Sequence, residues 1–74
     1  MPELPRISGN EAIKAFKKLG FYKARQKGSH VVMRKDNRGC VIPLHKNLAI
    51  GTLRNTIRQA GITVEEFVIA YKDK

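Results

Sequence analysis

Residues 21–45 read FYKARQKGSHVVMRKDNRGCVIPLH, and this stretch decides the fold. It is rich in β-branched and aromatic residues and broken by two groups with strong turn chemistry. The spacing predicts strands over residues 21–26, 29–34 and 40–42. Lys27-Gly28 forms the first turn, and Lys35-Asp36-Asn37-Arg38-Gly39 forms the second connection. Pro43 ends the third strand or marks an edge. Both connections are short, so the strands form an antiparallel meander. Val31-Val32-Met33 leaves the facing of the middle strand open. Either Val31 and Met33 face the core, with His30, Val32 and Arg34 opposite, or the reverse holds.

Helices flank this block. Ser8-Gly9-Asn10-Glu11 fits a capping box. Ala12, Ile13, Phe16 and Leu19 follow at helical spacing, with Lys14, Lys17 and Lys18 facing out. Gly20 supplies the left-handed residue that stops the helix. Residues 1–7, with Pro2 and Pro5, read as an extended lead-in. Downstream, Leu53, Ile57 and Ala60 share one helix face while Arg54 and Arg58 share another, and Gly61 stops that helix. Thr63-Val64-Glu65-Glu66 opens a last helix, with Val64, Phe67, Val68 and Tyr71 on its apolar side. The expected class is α+β in the order α-β-β-β-α-α, one domain over residues 1–74. Helices on one face of the sheet would leave the other face for a ligand.

Charge narrows the partner. The 74 residues carry 15 Lys and Arg against 6 Asp and Glu, a net +9. Between Lys14 and Arg58 there are 12 basic residues and one acidic residue, Asp36. Such a basic centre expects a polyanion: nucleic acid, an anionic membrane surface or an acidic protein. No apolar run nears the roughly 20 residues of a membrane span. The opening MPELPRISGNEA lacks the apolar centre of a signal peptide. With a single cysteine, Cys40, no internal disulfide forms. These features together point to the cytoplasm.

Several chemistries drop out. A structural zinc site wants four Cys or His ligands, and His30, His45 and Cys40 are three, at no familiar spacing. Two-metal nuclease chemistry needs clustered carboxylates. Glu65 and Glu66 are adjacent but point about 100° apart on a helix. No glycine-rich phosphate loop is present. Cys40 reads as a small core residue. No metal or other cofactor is expected.

Histidine and cations remain. RNA carries its own nucleophile, the 2′-hydroxyl. Cleaving it needs a group that exchanges a proton near neutral pH, and positive charge for the developing phosphorane. DNA lacks that hydroxyl. His30 sits at the exit of a glycine turn between Lys27 and Arg34. Position alone leaves it structural, solvated or catalytic. Arg25, Lys27 and Arg34 suit phosphate contacts. Gly28 shapes the turn, Ser29 stands beside it, and His45 follows the third strand. Arg54 and Arg58 suit a phosphate-facing surface, an acidic protein or a DNA major groove.

Four segments in order carry a resemblance. They are Ser8-Gly9 opening a helix that ends Lys18-Leu19-Gly20-Phe21, then Arg25-Gln26-Lys27-Gly28-Ser29-His30, then Cys40-Val41-Ile42-Pro43-Leu44-His45, then residues 51–62 with Thr63-Val64-Glu65-Glu66-Phe67. Together, from about residue 6 to residue 70, the chain resembles the HicA family of toxins, mRNA interferases of toxin–antitoxin pairs. The resemblance implies a fold like the double-stranded-RNA-binding domain and metal-independent cleavage of mRNA. It implies that His30, the histidine of Gly-Ser-His, is catalytic, and that a HicB-type antitoxin covers the site. Many members carry a second histidine or other polar group after the motif histidine, and here Val31 stands there. By position, Arg25, Lys27, Gly28, Ser29, Arg34, His45 and Arg54 are the expected RNA contacts, with Lys27 and Arg34 stabilising charge beside His30, and the toxin alone is expected to take neither DNA nor a membrane. A non-catalytic RNA-binding module of the same fold, reading shape and 2′-hydroxyls, is the competing expectation.

Overall fold

The computed structural model describes residues 3–73. The order is α1 (Gly9–Lys18), β1 (Tyr22–Lys27), β2 (His30–Lys35), β3 (Arg38–Pro43), α2 (Ile50–Ala60) and α3 (Val64–Lys72). The strands form one antiparallel sheet in the order β1-β2-β3. This is the expected α+β arrangement and the expected element order.

The strands run further than their apolar residues suggest. Both connections are two-residue turns, Gly28-Ser29 and Asp36-Asn37, so Lys27 pairs with His30 and Lys35 with Arg38. The first turn therefore lies one residue beyond Lys27-Gly28, and the second is shorter than the expected loop. Each opens on a left-handed residue, Gly28 at φ 59° and Asp36 at φ 54°. That conformation suits tight hairpins, and Asp tolerates it better than most residues.

Facing is settled by burial. Val31, Met33, Cys40 and Ile42 lie on the inner face against the helices and are buried. His30 and Arg34 are exposed on the outer face, and Val32 is half-buried. The helical layer stops short of β1, whose six residues are exposed on both faces. On the far edge, the buried Thr56 hydroxyl of α2 reaches the Val41 carbonyl at 3.3 Å and that of Thr52 at 3.0 Å. This contact covers part of the free edge of β3.

Capping boxes start two helices. The Glu11 N–H donates to Ser8 Oγ at 3.1 Å and the Ser8 N–H to Glu11 Oε1 at 3.0 Å. That second bond holds the Glu11 carboxyl below its ordinary pKa. Thr63 and Glu66 repeat the arrangement for α3, at 2.9 and 3.0 Å. Gly20 and Gly61 follow α1 and α2 in left-handed conformations. Phe16, Phe21 and Phe67 form the aromatic centre of the core, with both neighbouring rings 5.3 Å from Phe16. The lead-in is docked: the Leu48 N–H donates to the Ile7 carbonyl at 2.8 Å, and Ile7 is buried. Its first residues, Met1 and Pro2, lie outside the described residues.

Gly9 marks a close crossing. Its N–H donates to the His45 carbonyl at 2.9 Å. A methyl group built on it would overlap the Pro43 carbonyl oxygen and lie 3.0 Å from Leu44 Cα. Backbone cannot yield as a side-chain tip does. Gly9→Ala is therefore expected to destabilise the fold by about 1–3 kcal/mol, against a helix-propensity gain of up to about 1 kcal/mol. Urea unfolding checks it, and a variant as stable as the parent contradicts the crossing.

Candidate functional site

β2 is the one strand of this sheet with a neighbour on each side, and His30 is its first residue. Directly opposite are Lys27 on β1 and Pro43 on β3. Opposed residues in an antiparallel pair have Cβ atoms about 5 Å apart, so the imidazole and the Lys27 side chain rise from one patch. Both are exposed. The short turn makes this pairing. The Gln26 side-chain amide donates to the Gly28 carbonyl at 3.0 Å and braces it. Nothing lies within 4 Å of a Cβ built on Gly28, so its positive φ, not crowding, favours glycine.

The same end of the sheet gathers the segment after β3. The Leu44 N–H donates to the Ser29 carbonyl at 2.7 Å. With the Gly9–His45 bond, this brings exposed His45 to the end of the sheet where Ser29 and His30 lie. Exposed Lys46 follows it and was not singled out in the sequence.

The other candidates spread away. Arg25 lies opposite Val32 on the outer face. Arg34 shares that face, but four residues along β2, about 13 Å from His30 at strand rise. Lys27 is thus the cation beside His30, and Arg34 belongs to the opposite end. Arg54 is exposed on α2, the helix that packs against β3. None of the outer-face positions is acidic: Tyr22, Arg25, Lys27, His30, Val32, Arg34, Gly39, Val41 and Pro43.

Cys40 is buried on the inner face, and burial pushes its thiol pKa up to about 12. It is protonated at neutral pH and packs in the core. Among the described residues, no three His, Cys, Asp or Glu side chains gather so as to hold a metal ion. No helix among them is long and apolar enough to cross a membrane. The patch offers one solvent-facing imidazole to exchange a proton and an ammonium group beside it to neutralise an oxyanion.

Small basic α+β domains with an open sheet face suit a polyanionic partner, and here the sequence match is specific. The family model for the HicA toxin of bacterial toxin–antitoxin systems matches residues 9–62, from the first residue of α1 past the end of α2. The chain belongs to the HicA toxin family. Toxins of such systems are paired with an antitoxin, so a partner protein is implied. The match contains the turn, His30 and His45; α3 lies beyond it. No curated protein sequence shows significant similarity to the chain.

Proposed function

We propose that this chain is an mRNA interferase: a metal-independent RNA endonuclease of the cytoplasm, held inactive by a HicB-type antitoxin over the basic sheet face. The observation that carries the reading is the exposed pair of His30 and Lys27 on a sheet face with no acidic residue. An extended RNA strand lies along that face with its phosphates against Lys27, Arg25 and Arg34. His30 takes the proton of a 2′-hydroxyl as that oxygen bonds to the adjacent phosphorus. Lys27 neutralises the charge gathering on the non-bridging oxygens. The bond from phosphorus to the 5′-oxygen breaks, the leaving oxygen takes a proton from water, and the hydroxide so formed takes the proton back from His30. The products are a 2′,3′-cyclic phosphate and a 5′-hydroxyl. Gly28 and Ser29 hold the turn that sets His30 opposite Lys27. His45 and Arg54 extend the RNA contacts at the flanks.

The chemistry makes the nucleophile testable. An RNA oligonucleotide incubated with the protein in EDTA is expected to be cut. The same oligonucleotide with a single 2′-deoxy substitution at the cut position is expected to stay intact there. Cleavage of the deoxy-substituted site overturns 2′-hydroxyl attack. Complete loss of cleavage in EDTA overturns the metal-independent reaction.

A further inference from the structure

The outer face has a second feature, at the end away from His30. Tyr22 is 57% exposed. It lies directly opposite Arg34, which lies opposite Gly39 on β3. Beside Arg34 and Gly39 a shallow groove is lined by Val32, Arg34, Asn37, Gly39, Cys40, Val41 and Gln59. Gly39 contributes no side chain, and a Cβ built there would lie 3.7 Å from the Arg34 guanidinium. The groove thus has an apolar floor in Val32 and Val41, a cation at its wall and two side-chain amides at its rim. Tyr22 stands on the neighbouring strand, across Arg34 from Gly39.

That combination suits a flat, partly polar ring. From it we infer a nucleobase subsite: a base of single-stranded RNA stacks on Tyr22 and the Arg34 guanidinium and turns its edge to Asn37 and Gln59. Proteins bind unpaired bases through aromatic and guanidinium planes, with amides reading the base edge. Charge favours a polyanion, because every charged outer-face strand position is basic, and Asp36 lies in the turn beside Asn37. A strand whose phosphate meets His30 and Lys27 reaches Tyr22 about 13 Å further along the sheet. The base recognised is therefore not the one next to the scissile bond. This subsite rests on the reading that the chain engages RNA, and it adds to that reading the place where a base is held.

The test separates the two. A 2′-O-methyl RNA oligonucleotide cannot be cut by 2′-hydroxyl attack, so its binding is measured without turnover. The parent protein, Tyr22→Ala and Tyr22→Phe are compared by fluorescence anisotropy. Tyr22→Ala is expected to weaken binding about ten- to a hundredfold, and Tyr22→Phe to stay within about threefold. Circular dichroism checks that the exposed position leaves the fold intact. Equal binding by Tyr22→Ala and the parent overturns the subsite and leaves the face to the antitoxin, even where the parent cuts RNA. No binding by the parent overturns it as well. Tyr22-dependent binding by a parent that never cuts RNA upholds the subsite and removes the cleavage reading alone.

Discussion

Replacing His30 by alanine is expected to lower RNA cleavage about 10²–10⁴-fold, the usual contribution of a positioned proton-transfer group. The fold is expected to survive unchanged. His30 is exposed, so its loss leaves no cavity and falls within about 0.5 kcal/mol of neutral. RNA affinity is expected to fall by only a few-fold, because the phosphate contacts proposed for Arg25, Lys27 and Arg34 are left in place. Single-turnover cleavage and anisotropy with the same oligonucleotide separate the two effects. Equal cleavage by the parent and the variant removes His30 from the chemistry. Binding by both with cleavage by neither describes a binding module.

Phe16→Ala is expected to have the largest effect on stability. The ring is fully buried between Phe21 and Phe67. Truncating a buried phenylalanine costs about 3–5 kcal/mol in lost transfer energy and residual cavity. By the usual per-residue scaling, a chain of 74 residues has roughly 4–11 kcal/mol in total. One substitution thus removes a large share, and the melting temperature is expected to fall by at least about 12 °C, at about 4–8 °C per kcal/mol. A melting temperature within a few degrees of the parent contradicts this account of the core.

Much of the scaffold was legible because its signals are local. Both capping boxes, at Ser8 and Thr63, and the glycines that stop α1 and α2 act within a few residues of themselves. Non-local features were harder to read. Val31-Val32-Met33 satisfies either facing, and only the helices beneath β2 choose Val31 and Met33. The start of α2 had no signal, since Ala49 at its N-cap has no side chain to accept a bond. The proximity of Lys27 to His30, and the distance of Arg34, follow from cross-strand register. Tyr22 depends on a subtler device. The β1–β2 register shifts between Lys23 and Arg25, leaving Ala24 as the extra residue of a bulge. Without it, strict alternation from Lys27 would put Phe21 outward and Tyr22 inward. With it, Phe21 enters the core and Tyr22 joins Arg34 outside. The bulge has no marker in the letters YKARQK.

The overhang of β1 beyond the helices has an evolutionary corollary. The strand that carries Tyr22, Arg25 and Lys27 buries nothing, while the core draws on the other elements. Exchanges of its exposed side chains typically alter stability by no more than about 0.5 kcal/mol. Side chains along β1 can therefore change while selection on foldability acts on the other elements, so this face is free to be shaped by whatever binds it.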